Sequence, residues 1–349
     1  MTIACVGNLG CERAWAGLGP LPAPVRRRAA ALATLMRALV DAPACAVFTD
    51  AAVEPARIPP VPGLPALTIE PSSAPTGRPA LVWGALDDRA VTAGVPCLLG
   101  PAYALAPARA RARQLGDRRW AAALAERLGV ALPGRDVVTD LAGLRAHLAR
   151  PGALGPGGRW VGKAPWTAAG RDRVHGTGPV VDGELAARVT RLLAGQRALV
   201  VEPWLDRVGD AGIVGAIAAD GRVELMPPHR LWCDERGGFR GVDTDDDGLP
   251  TAARAALVAV AAEVGAALAA DGHLGPFGLD ALLHRDPTGA VVMLPLVEIN
   301  PRLTFGTVAW ALARRLGRAH LRVGPAAPDG ALVLVAPGTD EPVAAWLED

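Results

Sequence analysis

Three oxygen-bearing side chains lie close together late in the sequence. In GLDALLHRDPTGAVVMLPLVEINPR, residues 278–302, Asp280 lies on one apolar stretch, and Glu298 and Asn300 lie two apart on the next. Residues two apart on a strand share a face, and the Arg-Asp-Pro-Thr-Gly between the stretches predicts a turn. The two strands are therefore predicted to pair antiparallel, with Pro295 marking a bulge that adjusts the register.

Such a hairpin would bring three oxygen ligands to one spot. Mg²⁺ prefers hard oxygen ligands, keeps several waters and takes further ligands from phosphates. The simpler interpretation is a solvated acidic hairpin, but the segment Val-Val-Met-Leu-Pro-Leu-Val is too apolar to face water on both sides. The pattern therefore predicts a magnesium site built from Asp280, Glu298 and Asn300.

Lys163 is the single lysine among 36 basic residues; all the others are arginine. An ammonium is a compact point charge, whereas guanidinium is a planar fork, so a crowded oxyanion pocket selects lysine. The loop that follows has small residues, including Ala169 and Gly170, whose backbone N–H groups can approach an anion closely, and Arg171 and Arg173 add positive charge. This segment therefore predicts a phosphate site.

The composition excludes several function classes. The chain has 349 residues with 51% hydrophobic residues, a net charge of +1 and 4% aromatic residues, which gives neither a basic field nor stacking platforms for nucleic acid. Five cysteines form no CxxC pair, which argues against a disulfide framework or a zinc site. Without a secretory signal or membrane span, we expect a cytoplasmic protein with small-molecule partners, neither nucleic acid nor membrane; a homodimer is compatible with the sequence.

Short apolar strands alternate with helices, which predicts an α/β class. A strand at TIACVGN is followed by a helix near residues 26–40, and a later helix is predicted to end near Gly129. The segment 252–270 is interpreted as a core helix. We expect an N-terminal α/β domain at 1–112, a small α+β unit at 113–196, a C-terminal α+β unit at 197–325 and a tail at 326–349.

A lysine strand with a small-residue loop, then VVEPWL, then a late Asp followed by LVEINPRLTFG resembles the ATP-grasp superfamily in that order. The resemblance covers residues 1 to about 325. It implies an N-terminal (pre-ATP-grasp) domain, a lid and a C-terminal domain, with ATP held between the last two. It also implies ATP and Mg²⁺ as cofactors, with Mn²⁺ as a substitute, and an acyl phosphate that an amine or another nucleophile attacks.

The resemblance also implies roles for individual residues. Lys163 matches the lid lysine that meets the ATP phosphates, and Arg302 resembles the arginine that faces the transferred phosphoryl group. Asp280, Glu298 and Asn300 match the magnesium ligands. In the hinge, Glu202 contacts the adenine amino group by side chain or backbone, and Trp204 and Leu205 offer main-chain groups to the ring. Asp210 lies where a ribose-binding acid is expected, with Asp206 as a rival.

Two positions depart from the superfamily pattern. A second lysine usually precedes the lid, whereas GDRRW offers Arg118 or Arg119 for that phosphate contact. In the D-alanine:D-alanine ligase branch an arginine precedes the first metal aspartate by two residues. That place is Gly278 here, which argues against that substrate.

Further charged residues are candidates for substrate binding. Glu12, close to the first strand, is a candidate to orient a substrate ammonium, and Arg171, Arg230 and Arg240 are candidates to hold a carboxylate. A dinucleotide loop at GNLG is the weaker interpretation because GxGxxG is absent. The sequence therefore predicts an ATP- and Mg²⁺-dependent carboxylate–amine ligase. The alternatives are a carboxylate-phosphorylating enzyme with another acceptor and an inactive nucleotide-binding protein of the same fold.

Overall fold

The computed structural model of the protein describes residues 2–71, 79–85, 94–167, 172–235, 237–339 and 341–348. The elements of the N-terminal unit are β1 (Thr2–Val6), α1 (Cys11–Trp15), α2 (Ala23–Ala33), a 3-10 helix (Thr34–Leu39), β2 (Ala44–Phe48), 3-10 helix Pro55–Arg57, β3 (Ala66–Glu70), β4 (Ala80–Val82) and 3-10 helix Pro101–Ala104. Its four strands are parallel in the order β3-β2-β1-β4. The helix predicted near residues 26–40 is thus an α-helix that tightens into a 3-10 helix.

Two helices connect this unit to the next, α3 (Arg109–Leu115) and α4 (Arg118–Arg127). The sequence predicted one helix here, and that prediction is wrong. The first helix ends at Gly116. The Trp15 ring packs so closely there that a Cβ added to Gly116 would come within 2.7 Å of it. Asp117 then caps α4 by accepting a hydrogen bond from the Arg119 backbone N–H at 2.8 Å.

The small unit contains β5 (Asp136–Val138), α5 (Leu141–Leu148), a 3-10 helix (Pro156–Gly158), β6 (Arg159–Lys163), β7 (Arg173–Thr177), α6 (Gly183–Gln196) and β8 (Leu199–Pro203). Its sheet is antiparallel in the order β5-β8-β6-β7. The sequence predicts that the β8 segment begins the C-terminal unit. The structure places it at the centre of the small sheet, where all five of its residues are buried. We call this small sheet and its helices the lid.

The C-terminal unit contains β9 (Asp206–Ile217), β10 (Val223–Leu225), β11 (His229–Cys233), β12 (Phe239–Asp243), α7 (Thr251–Ala270), β13 (Gly275–Arg285), β14 (Val291–Asn300), α8 (Phe305–Leu316), β15 (His320–Gly324), β16 (Leu332–Val335) and β17 (Ala344–Glu348). Among the described residues these strands form one nine-stranded sheet, β14-β13-β9-β11-β12-β15-β17-β16, with β10 paired to β9. The segment predicted to be a tail instead supplies β16 and β17 to this sheet.

The predicted metal hairpin is confirmed as an antiparallel pair, β13 with β14. Asp280 lies opposite Glu298, and Leu282 lies opposite Leu294, so β14 carries two extra residues between these points. Pro295 lies within this bulge, as predicted.

Helix α7 packs on the large sheet through one face, with Leu257, Ala261, Val264 and Leu268 in the core. Most of its other residues are exposed, so the predicted core helix lies on the surface of the sheet and buries only one face. In the described part of the chain it is the one helix long and apolar enough to cross a membrane by length and composition.

Candidate active site

A cavity lies between the lid and the large sheet, and most of the predicted nucleotide and metal residues line it. It is walled by apolar side chains from both units, including Val161 on β6 and Leu294 on β14. The predicted residues that line it are Arg118, Lys163, Glu202, Trp204, Leu205, Asp210, Asp280 and Glu298. Residues separated by up to 180 positions in the sequence therefore converge on one site.

The carboxylates of the β13–β14 hairpin project into this cavity from one face of the sheet. Asp280 and Glu298 are directly opposed, and Asn300 lies opposite Gly278 on the same face. The Asn300 amide nitrogen is 3.5 Å from Asp280 Oδ2, while its Oδ1 accepts a hydrogen bond from Arg302 Nη2 at 2.9 Å. An amide oxygen has two lone pairs, so Asn300 Oδ1 can accept from Arg302 and still present its other lone pair to a cation.

The electrostatics of this pair fit a divalent cation. Burial, followed by repulsion from the Glu298 carboxylate, raises the pKa of Asp280 to about 7. A cation between the two carboxylates would relieve both effects. Among the described residues no group of three or more His, Cys, Asp or Glu side chains is placed to hold a metal. The predicted donor set of two carboxylates and an amide would leave Mg²⁺ room for water and phosphate.

The raised pKa of Asp280 predicts that magnesium binding depends on pH. Because the folded pKa lies above its ordinary value, Asp280 contributes stability at low pH that is lost as the pH rises through about 7. Mg²⁺ needs the ionised carboxylate, so its affinity should fall roughly tenfold for each pH unit below about 7. Calorimetric titration with Mg²⁺ at about pH 5.5 and about pH 8 measures this. Equal affinities at the two pH values would contradict the assignment of Asp280 as a ligand.

Lys163 reaches the cavity from β6 and is bonded to the hinge. Its Nζ donates to Glu202 Oε2 at 2.5 Å, because Lys163 and Glu202 are diagonal neighbours on the paired strands β6 and β8. The other carboxylate oxygen, Oε1, accepts from Arg135 Nε at 2.8 Å. Burial opposes ionisation of Glu202, but Lys163 and Arg135 outweigh it and lower the pKa of Glu202. The Glu202 side chain is thus engaged with two cations, and contact with a purine amino group by side chain or by backbone stays a prediction.

Arg118, and not Arg119, faces the cavity. Arg118 Nη2 donates to Glu298 Oε1 and to Thr167 Oγ1, both at 2.8 Å. Arg119 is turned away, because its guanidinium pairs with Asp117 and lies over the Trp166 ring. Of the two arginines, Arg118 is therefore the one that lines the cavity beside Glu298 and remains the candidate for the predicted phosphate contact.

Asp210 and Asp206 also differ in position. Asp210 lines the main cavity on the same sheet face as Asp280, whereas Asp206 lies at the exposed start of β9 and lines a second, adjoining cavity. Burial raises the pKa of Asp210, although Arg207 pairs with it and acts in the opposite direction. Of the two acids, Asp210 is the one placed to meet a ribose in this cavity.

The hinge residues Trp204 and Leu205 line the mouth of the cavity. The Trp204 backbone N–H donates to the Arg159 carbonyl at 3.0 Å, so this group is not available to a purine. The predicted main-chain donor therefore falls to Leu205. The Trp204 ring meets His175 edge-on at 4.6 Å and extends the lid side of the mouth.

Arg302 is not among the described residues that line the cavity; it is held beside the hairpin by its bond to Asn300 and by a buried ion pair with Glu12. Arg302 Nη1 also donates to the Leu303 carbonyl at 2.8 Å, and its guanidinium lies 5.8 Å from the centre of the Trp83 ring. Glu12 follows β1, and Trp83 follows β4. The order in which the chain adds strands to the parallel sheet reverses between β1 and β4. Ligands of open parallel sheets bind outside the carboxyl ends of the strands at this point.

Glu12 leaves one buried oxygen, Oε2, without a hydrogen-bond partner among the described residues. A ligand N–H group at this place would satisfy it. The sequence predicts that Glu12 orients a substrate amine. The structure also pairs Glu12 with Arg302, which lies 290 residues later in the chain.

Arg230 and Arg240, predicted to hold a substrate carboxylate, do not line the main cavity as the structure describes it. Arg230 stacks on the Trp232 ring at 4.5 Å and lines the second cavity, and Arg240 pairs with Asp234 at 2.8 Å. Both guanidinium groups are thus engaged with partners on their own strands and loop. The predicted residues Ala169, Gly170 and Arg171 lie outside the described residues.

No sequence motif points to Arg135 or Arg207, and Arg173 is predicted only to add positive charge. Arg173 and Arg207 both line the main cavity, and an added Cβ on Gly237 would come within 3.0 Å of Arg207 and 3.2 Å of Arg173. No local pattern distinguishes these arginines from the many others in the chain. The glycine at position 278, where the D-alanine:D-alanine ligase branch has arginine, has a steric explanation. A Cβ there would lie 2.7 Å from the Thr304 methyl group.

No protein-family model matches the sequence, and no curated protein is similar to it at a significant level. Solved structures do match. A protein from Archaeoglobus fulgidus assigned to the ATP-grasp superfamily has a TM-score of 0.55 at 14% identity, covering 100% of this chain and 99% of that one. Phosphoribosylamine–glycine ligase from Thermotoga maritima has a TM-score of 0.54 at 13% identity, covering 100% and 90%.

The biotin carboxylase domain of 2-oxoglutarate carboxylase from Hydrogenobacter thermophilus matches over 69% of this chain at 13% identity and a TM-score of 0.49. This chain spans 63% of the length of that domain, which is less than two thirds. At these identities the comparisons show the fold alone, and the two full-length matches confirm the fold that the sequence motifs predicted.

Proposed function

The chain has the ATP-grasp fold, and on this basis we propose that it is an ATP- and Mg²⁺-dependent ligase that joins a carboxylate to an amine. The observation that carries the proposal is the convergence of Lys163 and the opposed carboxylates Asp280 and Glu298 on one cavity between the lid and the large sheet. The Thermotoga maritima structure of the same fold is, by name, a ligase of phosphoribosylamine and glycine.

Different residues along the cavity bind different parts of MgATP. The apolar walls near the hinge hold the purine, Asp210 meets the ribose, and Lys163 and Arg118 contact the phosphates. Asp280, Glu298 and Asn300 would hold Mg²⁺, which supplies charge neutralisation for the transferred phosphoryl group. The small-residue loop with Ala169 and Gly170, and Arg171 beside it, remain predicted anion contacts.

Arg302 lies where the acid would react. Its bonds to Glu12, Leu303 and Asn300 use three of the five guanidinium N–H groups, so two N–H groups are left for an anion. A carboxylate oxygen of the acid attacks the γ-phosphorus, and the bond to the leaving ADP breaks. The amine then attacks the acyl carbon, and phosphate leaves with one oxygen of the original carboxylate.

Release of ADP tests this function. The protein is incubated with ATP, Mg²⁺ and a panel of carboxylic acids and amines, and the products of positive combinations are weighed by mass spectrometry. The proposal predicts ADP release that requires both an acid and an amine. ADP release with the acid alone would favour an acid-phosphorylating enzyme, and nucleotide binding without turnover across the panel would favour a binding protein. A cytoplasmic location and a homodimer stay predictions.

Replacement of Lys163 by Met is expected to abolish ATP turnover without unfolding the protein. The folded state survives because Glu202 keeps its ion pair with Arg135 after the ammonium is removed. Lys163→Arg should retain only a small fraction of the activity, because a planar guanidinium does not fit where a point charge is needed. Steady-state kinetics and thermal unfolding measure the two effects. If Lys163→Arg worked as well as the parent, the role of the lysine as a point charge would be wrong.

A further inference from the structure

Arg135 and Glu202 form a buried ion pair behind the proposed phosphate site. Arg135 Nε donates to Glu202 Oε1 at 2.8 Å, and the two side chains are 4% and 7% exposed. The pairing of β5 with β8 sets this contact: Asp136 lies opposite Val201, so Arg135, one residue earlier, lies opposite Glu202. The second oxygen of the same carboxylate accepts from Lys163 Nζ at 2.5 Å.

The three side chains differ in their access to the cavity. Lys163 and Glu202 line it, whereas Arg135 is not among the described residues that do. Arg135 therefore does not face the cavity, and it would act on a nucleotide bound there through Glu202. Its position is that of a support behind the carboxylate.

The charges of this cluster decide what Lys163 is free to do. One carboxylate lies between two cations, so the cluster carries one surplus positive charge. Without Arg135, moving the Lys163 ammonium onto a phosphate would leave Glu202 buried and uncompensated, which is strongly unfavourable. With Arg135 in place, Glu202 stays neutralised when the ammonium leaves.

We propose that Arg135 is a positioning residue that holds Glu202 and thereby frees the Lys163 ammonium for the phosphates of the nucleotide. This proposal rests on the proposed function, because it assumes that the cavity binds MgATP. The ammonium exchanges one anionic partner, Glu202, for another, the phosphate oxygens. Arg135 keeps its contact throughout, so the strand pairing of the lid need not change.

A double-mutant cycle separates this role from a merely structural one. MgATP affinity is measured by calorimetry for the parent, Arg135→Met, Glu202→Gln and the double variant. Arg135→Met is expected to weaken MgATP binding about tenfold or more while Glu202 is present. In the Glu202→Gln background no carboxylate needs neutralising, so the same substitution should change affinity by less than about threefold.

The single lysine provides a direct spectroscopic readout. In protein labelled with ¹³Cε-lysine, one side-chain signal reports the Lys163 ammonium. Saturating MgATP should shift this signal in the parent, and at matched occupancy the shift should be smaller in Arg135→Met, where the ammonium stays with Glu202. Arg135→Lys, which keeps the charge, should recover most of the affinity. Arg150→Met, at an exposed arginine that pairs with the neighbouring Asp136, is the control and should bind MgATP as the parent does.

The outcomes are distinguishable. Equal losses from Arg135→Met in the parent and in the Glu202→Gln background, or no loss in either, would overturn the role of Arg135 and leave the proposed function intact. Failure of the parent to bind MgATP would overturn both. If Arg135→Met does not fold, Arg135→Gln takes its place in the cycle, since it removes the charge and keeps a hydrogen-bond donor.

Discussion

Asp280→Asn is expected to remove ATP turnover and to raise the magnesium concentration that nucleotide binding requires. The substitution leaves the shape of the side chain but takes away one of two opposed carboxylates that the β13–β14 register brings together. Glu298→Gln should act in the same direction, with an additional effect on Arg118, which donates to Glu298 Oε1. The Mg²⁺ held by these carboxylates would neutralise the negative charge of the triphosphate. We therefore expect turnover to fall by more than about 10³-fold.

Nucleotide affinity with and without Mg²⁺ distinguishes loss of the metal from loss of the fold. Asp280→Asn removes a buried, like-charged neighbour of Glu298, so the metal-free protein should not be less stable than the parent at about pH 8. Glu263→Gln, at an exposed acid on α7, is the matched control and should keep parental turnover. Unchanged nucleotide affinity in Asp280→Asn and Glu298→Gln, both with and without Mg²⁺, would contradict the metal site.

Arg302→Ala is expected to bind ATP nearly as the parent does and to form almost no ADP when the true acid is supplied. Negative charge accumulates between the γ-phosphate and the attacked carboxylate, where the two remaining Arg302 N–H groups can donate. Loss of one such donor typically costs about 10² to 10³ in turnover, roughly 3 to 4 kcal/mol. The effect should fall on kcat, whereas loss of a ground-state ATP contact would mainly raise KM.

The buried partner of Arg302 adds a second expectation to this variant. Arg302→Ala leaves the Glu12 carboxylate buried without its cation, so some loss of stability accompanies the loss of rate. The double variant Arg302→Ala, Glu12→Gln relieves that burden and should recover stability without recovering kcat. Arg285→Ala, at an exposed position on β13, serves as the control. A rise in KM with kcat preserved in Arg302→Ala would contradict its place at the reacting phosphoryl group.

The sequence predicts the metal hairpin well because its pairing is local. Asp280 and Glu298 are separated by one turn, and the alternation of faces together with the Pro295 bulge determines which side chains meet. The order of Lys163, the hinge and the hairpin was also sufficient to predict the fold that the solved structures confirm.

Contacts between distant segments are not encoded in this way. The ion pairs Glu12–Arg302 and Arg135–Glu202 join residues 290 and 67 positions apart, so neither pairing is visible in the local sequence. The NPR motif marks Arg302 itself, whereas no motif marks Arg135. The same limit explains why β8 was assigned to the wrong sheet: a buried strand is apolar on both faces, so its sequence does not reveal which neighbours it pairs with. The break between α3 and α4 depends on the distant Trp15 ring, which packs against Gly116.

Transfer of an oxygen isotope tests the central claim most directly. Once ADP release has identified the acid, that acid is labelled with ¹⁸O in its carboxylate and turned over with ATP, Mg²⁺ and the amine, and the phosphate is analysed by mass spectrometry. An acyl phosphate leaves one oxygen of the acid on the phosphate, so the account predicts one ¹⁸O atom in each phosphate released. Label found in AMP, or retained entirely in the product, would contradict the acyl-phosphate mechanism.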